Sequence, residues 1–218
     1  MVEELKNLSF LPYFKFSQLR VLFPDIKNAS LRQKVSRWLK KGDIFELKKG
    51  FYVASKHYER YISDYNYRVY LANILCHPSY VSGAYILQKE GAVMEAIYPI
   101  TSITTKSTRN YSNKLGDFLY FSISEQLYTG YKKDFYINEP VYIATLAKAL
   151  FDYLYIKYSK MRFSANDILV RERFNVEVFT GKDKNEFKHY CKLSNNKLLI
   201  EVSKKVFLRK YQNRPTDY

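Results

Sequence analysis

The segment that decides the fold spans residues 30–53 and reads SLRQKVSRWLKKGDIFELKKGFYV. Its first half, residues 30–41, predicts an amphipathic helix because its apolar residues recur at helical spacing. These apolar residues form one stripe that consists of Leu31, Val35, Trp38 and Leu39. We expect Asn28 or Ser30 to cap the helix and Gly42 to end it in a left-handed conformation.

The second half of the segment predicts a short β-hairpin. Residues 44–47 (IFEL) and 51–53 (FYV) have the aromatic and β-branched content of strands. Gly50 can adopt a positive φ in the turn between them, and Lys48 and Lys49 are expected at the tip. Residues 3–23 suggest two further short helices around Pro12.

Three helices followed by a basic hairpin are the order of a winged helix-turn-helix, which predicts a DNA-binding domain over residues 1–60. The helix of residues 30–41 would enter the major groove with its polar face toward base edges. On a helical wheel this face contains Arg32, Gln33, Ser36, Arg37 and Lys40. Phosphate contacts are expected mainly from Lys34, Lys48 and Lys49.

The distribution of charge agrees with a polyanionic partner. The 218-residue chain has a net charge of +15. Residues 27–60 contain 10 basic and 3 acidic residues, and residues 182–210 contain 9 and 3. An excess concentrated in two blocks is the electrostatic footprint of polyanion binding. The second block is better explained as a solvated helix face than as a site for RNA or an acidic protein.

The remainder, residues 61–218, predicts a mixed α/β domain with a helical C-terminus, so the fold class is α+β. Predicted helices cover residues 57–65, 66–76, a segment after Ser82, 139–158, 164–173, 183–193 and 196–209. Predicted strands cover residues 97–105, 118–123 and 126–131, with a loop around Asn110, Asn113 and Gly116 between the first two.

No membrane span is predicted. The most apolar stretch, residues 141–155, contains Lys148 and Asp152, each of which would cost about 2.5–3.5 kcal/mol at a bilayer centre. The N-terminus lacks a signal-peptide pattern, and the two cysteines, Cys76 and Cys191, have no metal or redox spacing. These features predict a cytoplasmic protein without a cofactor or a metal.

One pattern resembles an enzyme. Pro24-Asp25 followed by Glu46-Leu47-Lys48 matches the two carboxylates and lysine of many metal-dependent nucleases. That chemistry needs both carboxylates at adjacent strand ends, whereas a predicted helix separates these two. The chain has no Gly-rich phosphate loop and no Ser/His/Asp arrangement, so we expect no enzyme. Lys148 and Asp152, four residues apart, predict an intrahelical ion pair or a pair that closes over another segment.

Several segments in order resemble the AbiEi family of type IV antitoxins. They are VSRWLKKGDIFELKKGFYV (35–53), SYVSGAYILQKEGAV (79–93), ITSITTKSTR (100–109), FLYFSISEQLYTGY (118–131), IATLAKALFDYLY (143–155) and NNKLLIEVSKKVF (195–207). The chain differs from many family members at Leu146 and Ala147, where they carry Pro-Glu. Lys148 and Asp152 fit the family pattern.

The resemblance implies a bacterial antitoxin of an abortive-infection (phage defence) system. Its N-terminal domain would bind inverted repeats in its own promoter and repress transcription. Its C-terminal domain would counteract a nucleotidyltransferase-like toxin without forming a stable complex, and Lys148 and Asp152 would belong to the antitoxin surface. A stand-alone winged-helix regulator without a toxin partner is the alternative, and a metal-dependent nuclease is a more remote one.

Overall fold

The structure is a computed structural model that describes residues 5–208. It is a mixed α/β fold with two β-sheets in the described residues. The smaller sheet belongs to the N-terminal part, and the larger sheet and most helices belong to the rest. None of the helices in this range is both long enough and apolar enough to cross a bilayer.

The N-terminal part packs two helices on one face of a three-stranded antiparallel sheet with strand order β1-β3-β2. A 3-10 helix at Asn7–Phe10 precedes it. The elements are β1 (Phe14–Lys15), α1 (Phe16–Leu22), α2 (Asn28–Lys41), β2 (Ile44–Lys48) and β3 (Phe51–Ala54).

Helix α2 is held by the apolar stripe that its spacing predicts. Leu31, Val35 and Trp38 are buried against α1 and the small sheet. The predicted stop is confirmed: Gly42 has a φ of 74°, and the Asp43 amide donates to the Trp38 carbonyl at 2.9 Å. The predicted cap is wrong, because α2 begins at Asn28 and no side chain of the preceding residue bonds its first turn.

The larger part begins with α3 (Ser55–Tyr61) and α4 (Tyr65–Leu75) and then forms a six-stranded mixed sheet. Its strand order is β6-β7-β5-β4-β9-β8. The strands and the helix among them are β4 (Tyr80–Val81), α5 (Ala84–Lys89), β5 (Ile100–Thr104), β6 (Arg109–Asn113), β7 (Gly116–Ser122), β8 (Tyr131–Tyr136) and β9 (Glu139–Ala144). A 3-10 helix at Glu125–Leu127 lies between β7 and β8.

The rest of the described chain is helical, as predicted. Helix α6 contacts α5 and α8, and α9 contacts both α7 and α8. The elements are α6 (Leu146–Tyr158), α7 (Ala165–Arg171), a 3-10 helix (Val176–Val178), α8 (Gly181–Leu193) and α9 (Lys197–Lys205). The predicted end of the last helix at residue 209 lies outside the described residues.

Three predicted elements are wrong. Residues 139–144 form strand β9 rather than the start of the long helix. The helix begins after Thr145, whose hydroxyl oxygen caps it by accepting a hydrogen bond from the Lys148 amide at 3.2 Å. Of residues 126–131, predicted as a strand, only Tyr131 lies in one, as the first residue of β8, and Gln126 and Leu127 end a 3-10 helix. Residues 109–113, interpreted as a loop, form edge strand β6, antiparallel to β7.

The two parts share a contact surface. Leu47 and Val53 belong to the core of the larger part, although both lie in the hairpin of the smaller sheet. The Asn113 side chain donates to the Leu47 carbonyl at 3.0 Å, and the Tyr67 hydroxyl donates to the Pro12 carbonyl at 2.7 Å. The predicted domain boundary at residue 60 falls inside α3 and stays a prediction.

Candidate nucleic-acid interface and the Lys148–Asp152 pair

The outward face of α2 carries the side chains that the sequence predicts for base contacts. The helix contains no acidic residue. Because its core stripe is buried, the side chains on the other side point into solvent. The exposed residues on this face are Arg32, Gln33, Ser36, Arg37 and Lys40, and Lys34 is partly buried.

Two of these cations lie over aromatic rings of the N-terminal part. The Arg32 guanidinium is 4.9 Å from the centre of the Phe16 ring. The Lys34 ammonium is 4.9 Å from the Phe23 ring and 5.5 Å from the Trp38 ring. Such contacts restrict the conformations of a long side chain. Arg32 and Lys34 are therefore positioned cations.

The structure brings the outward face of α2 and the hairpin turn together. A groove of about 370 Å³ runs between them, and its lining includes Arg32 and Ser36 from α2 and Lys49 from the turn. Gly50 has a φ of 79°, as predicted, and its amide donates to Glu46 Oε1 at 3.2 Å. The turn therefore holds Lys49 beside the exposed helix face.

Lys48 closes the hairpin turn, but its side chain does not project from the tip, which corrects the predicted placement of its ammonium. Its ammonium donates to the Leu75 carbonyl at 2.7 Å and lies 4.0 Å from the centre of the Phe51 ring. The strand pairing shifts register between Glu46 and Lys48. Such a bulge re-aims side chains, and here Lys48 turns toward the larger part of the chain, as Leu47 does.

The nuclease pattern lacks the geometry that its chemistry needs. Asp25 is exposed in the turn between α1 and α2 and does not end a strand. Glu46 is engaged in the hairpin bond to Gly50. Within residues 5–208 there is no group of three or more His, Cys, Asp or Glu side chains that would hold a metal ion. Cys76 and Cys191 are both buried and free.

Lys148 and Asp152 form the predicted intrahelical ion pair, but the pair does not lie on a surface. The Lys148 ammonium is 2.8 Å from Asp152 Oδ1, and both side chains are 0% exposed. The antitoxin surface assigned to these residues is therefore corrected: neither side chain can contact a partner directly. Ala147, Leu150 and Phe151 of α6 are also fully buried, and the Lys148 ammonium lies 4.5 Å from the centre of the Phe151 ring.

Polar groups from other segments complete this pair. The Lys148 ammonium also donates to the Leu127 carbonyl at 2.8 Å. Asp152 Oδ2 accepts from the Ser82 hydroxyl at 2.7 Å and from the Tyr80 hydroxyl at 3.1 Å. Burial lowers the pKa of Lys148 and raises the pKa of Asp152, and the attraction between the two charges opposes both shifts.

A second group of polar side chains adjoins the pair. The Lys148 ammonium is 5.1 Å from the centre of the Tyr190 ring, and the Tyr190 hydroxyl donates to Glu186 Oε1 at 2.8 Å. The same oxygen accepts from the Thr145 hydroxyl at 2.7 Å. We call these two groups together the buried polar network, although Thr145 and Glu186 are only partly buried. Its residues are Tyr80, Ser82, Thr145, Lys148, Asp152, Glu186 and Tyr190.

Sequence reasoning missed most of this network. Ser82 directly precedes the predicted helix, but the N-cap of α5 is Gly83, with a φ of 65°, and the Ser82 hydroxyl donates to Asp152. Tyr80 and Ser82 are about 70 residues from Asp152 along the chain. The only signal was the i, i+4 spacing of two opposite charges inside an apolar helix.

The second basic block is largely exposed on α8 and α9. Its outward cations within the described residues include Lys182, Lys188, Lys192, Lys197 and Lys204. Residues 209 and 210 of this block lie outside the described residues. A partner for the block stays a prediction.

Comparison with known proteins adds no relative: no protein-family model matches the chain, and no curated protein matches it.

Proposed function

We propose that this protein is a DNA-binding transcriptional autorepressor and the antitoxin of a type IV toxin–antitoxin system. The observation that carries the DNA-binding half is the outward face of α2. This face is exposed, carries no acidic residue, and adjoins the hairpin turn with Lys49. A cationic helix of this kind fits a major groove about 12 Å wide.

The order of the N-terminal elements supports the proposal. A helical turn, a strand, two helices and a hairpin follow one another, and β1 pairs with β3. A winged helix-turn-helix would have this order, with α2 as the recognition helix and the β2–β3 turn as the wing. The local charge of +7 over residues 27–60 would attract a duplex before any specific contact forms.

The first test is binding to the region upstream of the gene. We expect the full-length protein to shift a duplex with inverted repeats from that region at lower concentration than a random duplex of equal length. Salt and probe concentration are held constant in the comparison, because phosphate contacts depend on ionic strength. Equal affinity for both duplexes would remove the proposal of a specific repressor.

Substitutions on α2 and on the turn should have different effects. Replacing Gln33 or Arg37 with Ala is expected to relax base preference, at about 1–3 kcal/mol per lost bidentate contact. Lys49→Ala should weaken binding to all duplexes alike and reduce the salt slope by about 1, because it removes one phosphate contact. Gel-shift titrations at several salt concentrations measure both effects.

Lys160→Ala serves as the control for these variants, since Lys160 is exposed but lies outside α2 and the turn. It should bind as the unsubstituted protein does. If Lys160→Ala weakens binding as much as Lys49→Ala, the affinity comes from net charge alone and the assignment of the α2 face is wrong.

The antitoxin half of the proposal rests on the family resemblance. Segments that carry the resemblance meet at the buried polar network: Tyr80 and Ser82 come from residues 79–93, the Leu127 carbonyl from 118–131, and the ion pair from 143–155. The contacts between these segments support the interpretation that they belong to one fold. Because the ion pair is buried, it would support antitoxicity by maintaining the fold.

Co-expression with the neighbouring gene product tests this half. If that gene encodes a nucleotidyltransferase-like protein, we expect the full-length chain to restore growth that the partner inhibits. A full-length variant that carries Gln33→Ala and Arg37→Ala should restore growth equally, since the roles are assigned to different parts. No rescue, or no such gene nearby, would leave a stand-alone transcriptional regulator in the cytoplasm.

A further inference from the structure

A second cationic site lies away from the exposed face of α2. A cleft of about 390 Å³ opens between the small sheet and the larger part of the chain. Its walls come from β1, the hairpin, the end of α4, and β6 with the loop before it. Sites for small molecules have volumes of about 300–1,000 Å³, so one compact ligand fits this cleft.

Four cations converge on the cleft, and no acidic side chain lines it. They are Lys15, Lys48, Lys106 and Arg109. Within residues 5–208 none of the four forms a salt bridge. Burial lowers the pKa of Lys48, and the neighbouring charges of Lys15, Lys106 and Arg109 lower it further. The repulsion among these cations would be relieved by an anion in the cleft.

Two of the cations are held in place before any ligand arrives. The Lys48 ammonium is fixed by its bond to the Leu75 carbonyl. The Arg109 guanidinium donates to the Ser107 carbonyl at 3.0 Å and to the Ser107 hydroxyl at 2.8 Å. Positioned cations lose less conformational entropy when an anion binds than free side chains do.

Three aromatic rings also line the cleft, from Tyr13, Phe51 and Tyr111, and we call them the aromatic wall. Tyr13 and Phe51 are stacked, with ring centres 5.9 Å apart and an interplanar angle of 13°. Tyr111 lines the cleft from β6, and the Lys48 ammonium is 5.8 Å from the centre of its ring. All three rings are only partly buried. Tyr13 and the Lys48 ammonium already lie against Phe51, so Tyr111 is the ring on which we expect a planar group to stack.

We propose that this cleft binds one nucleotide unit, with its phosphate among the four cations and its base against the aromatic wall. The unit is a free mononucleotide or one residue of a single strand, which present the same chemistry. A base inside a duplex is covered by its stacked neighbours and cannot reach such a wall. The cleft is therefore a separate site from the duplex-binding face proposed for α2.

Titrations of the full-length protein with three probes test the proposal. The probes are adenosine monophosphate, a single-stranded ten-residue oligothymidylate and inorganic phosphate, followed by calorimetry. We expect saturable binding of the mononucleotide, the oligonucleotide or both, and binding of phosphate at least tenfold weaker. Binding of one organic probe alone identifies the source of the nucleotide unit. Failure of both organic probes to saturate, or equal binding of phosphate, would overturn the proposal.

Substitutions then locate the site. Lys106→Ala with Arg109→Ala should weaken nucleotide binding by tenfold or more, and for the oligonucleotide should reduce the salt slope by about 1.4. Lys160→Ala with Arg162→Ala removes the same charge from exposed positions outside the cleft and should have little effect. An equal loss in both double variants, or no loss in the first, contradicts the site.

The aromatic wall has its own test. Tyr111→Leu should weaken nucleotide binding about 5- to 150-fold, which corresponds to a stacking contribution of about 1–3 kcal/mol per base. Tyr111→Phe keeps the ring and should bind as the unsubstituted protein does. If Tyr111→Leu does not fold, the comparison of the two double charge variants tests the site instead. Arg37→Ala should leave single-strand binding unchanged while it impairs operator binding, which separates this proposal from the proposed function.

Discussion

Lys148→Met is expected to lower the free energy of unfolding by about 3–5 kcal/mol, since it leaves the fully buried Asp152 carboxylate without its cation. Methionine has a similar length and fills most of the same space, so the loss is electrostatic more than steric. Chemical denaturation followed by circular dichroism measures it. A loss this large is a substantial fraction of the stability of a typical domain.

Two further variants test whether the unpaired buried charge causes the loss of stability in Lys148→Met. Lys148→Met with Asp152→Leu removes both charges and should be more stable than Lys148→Met alone, because no unpaired ion remains. Lys205→Met breaks an ion pair with the same four-residue spacing, but Glu201 is 51% exposed there. Its effect should be within about 0.5 kcal/mol. Equal losses for Lys148→Met and Lys205→Met would contradict the argument.

The loss in Lys148→Met should depend on pH. Burial already raises the pKa of Asp152, and removal of Lys148 deletes two interactions that lower it. A carboxyl whose pKa is higher in the folded state than in the unfolded state stabilises the fold when protonated. That contribution is complete below the unfolded pKa of about 3.9 and is lost as the pH rises through the folded value. Lys148→Met should therefore be closer to the unsubstituted protein at pH 5 than at pH 8.

Gly130→Ala should be the next most damaging substitution, at about 2–5 kcal/mol from backbone strain and overpacking together. Gly130 has a φ of 77°, which is strained for alanine. A Cβ there would overlap the Tyr190 hydroxyl and lie 2.7 Å from Tyr190 Cζ and 3.0 Å from Lys148 Cγ. The ring must move, which breaks the bond from Tyr190 to Glu186.

Gly42→Ala is the matched control for this substitution. Gly42 has a φ of 74°, but a Cβ there meets nothing within 4 Å. It should show the backbone cost alone, about 1–2 kcal/mol. The difference in unfolding free energy between the two variants then measures the contact with Tyr190 and Lys148. Equal destabilisation would show that the tight packing around Gly130 adds nothing to the loss of unfolding free energy.

Features that depend on local periodicity were predictable from the sequence. The 3.6-residue repeat of Leu31, Val35 and Trp38 fixes which side chains of α2 point outward. The glycine stop at Gly42 and the turn at Gly50 follow from the backbone freedom of that residue. In the described residues, the predicted exposed face of α2 therefore matches the structure side chain by side chain.

Features that depend on tertiary pairing were not predictable in this way. Residues 139–144 continue the apolar run of α6, and a short apolar segment does not distinguish a strand from a helix. The Lys48 side chain points away from the hairpin tip because the strand pairing shifts register, and no local sequence pattern predicts that shift. The burial of Lys148 and Asp152 depends on Tyr80 and Ser82, whose approach is set by the sheet. The cleft beside Lys48 was missed for the same reason.

Strand β3 is packed on both of its sides, with Tyr52 facing the helices of the small sheet and Val53 belonging to the core of the larger part. A fragment that consists of residues 1–60 alone would expose the apolar side chains of Leu47, Phe51 and Val53 to water. Such a fragment would self-associate at concentrations where the intact chain stays dispersed. The N-terminal part is therefore better studied in the full-length chain, with point substitutions in the remainder, than as a fragment cut at residue 60.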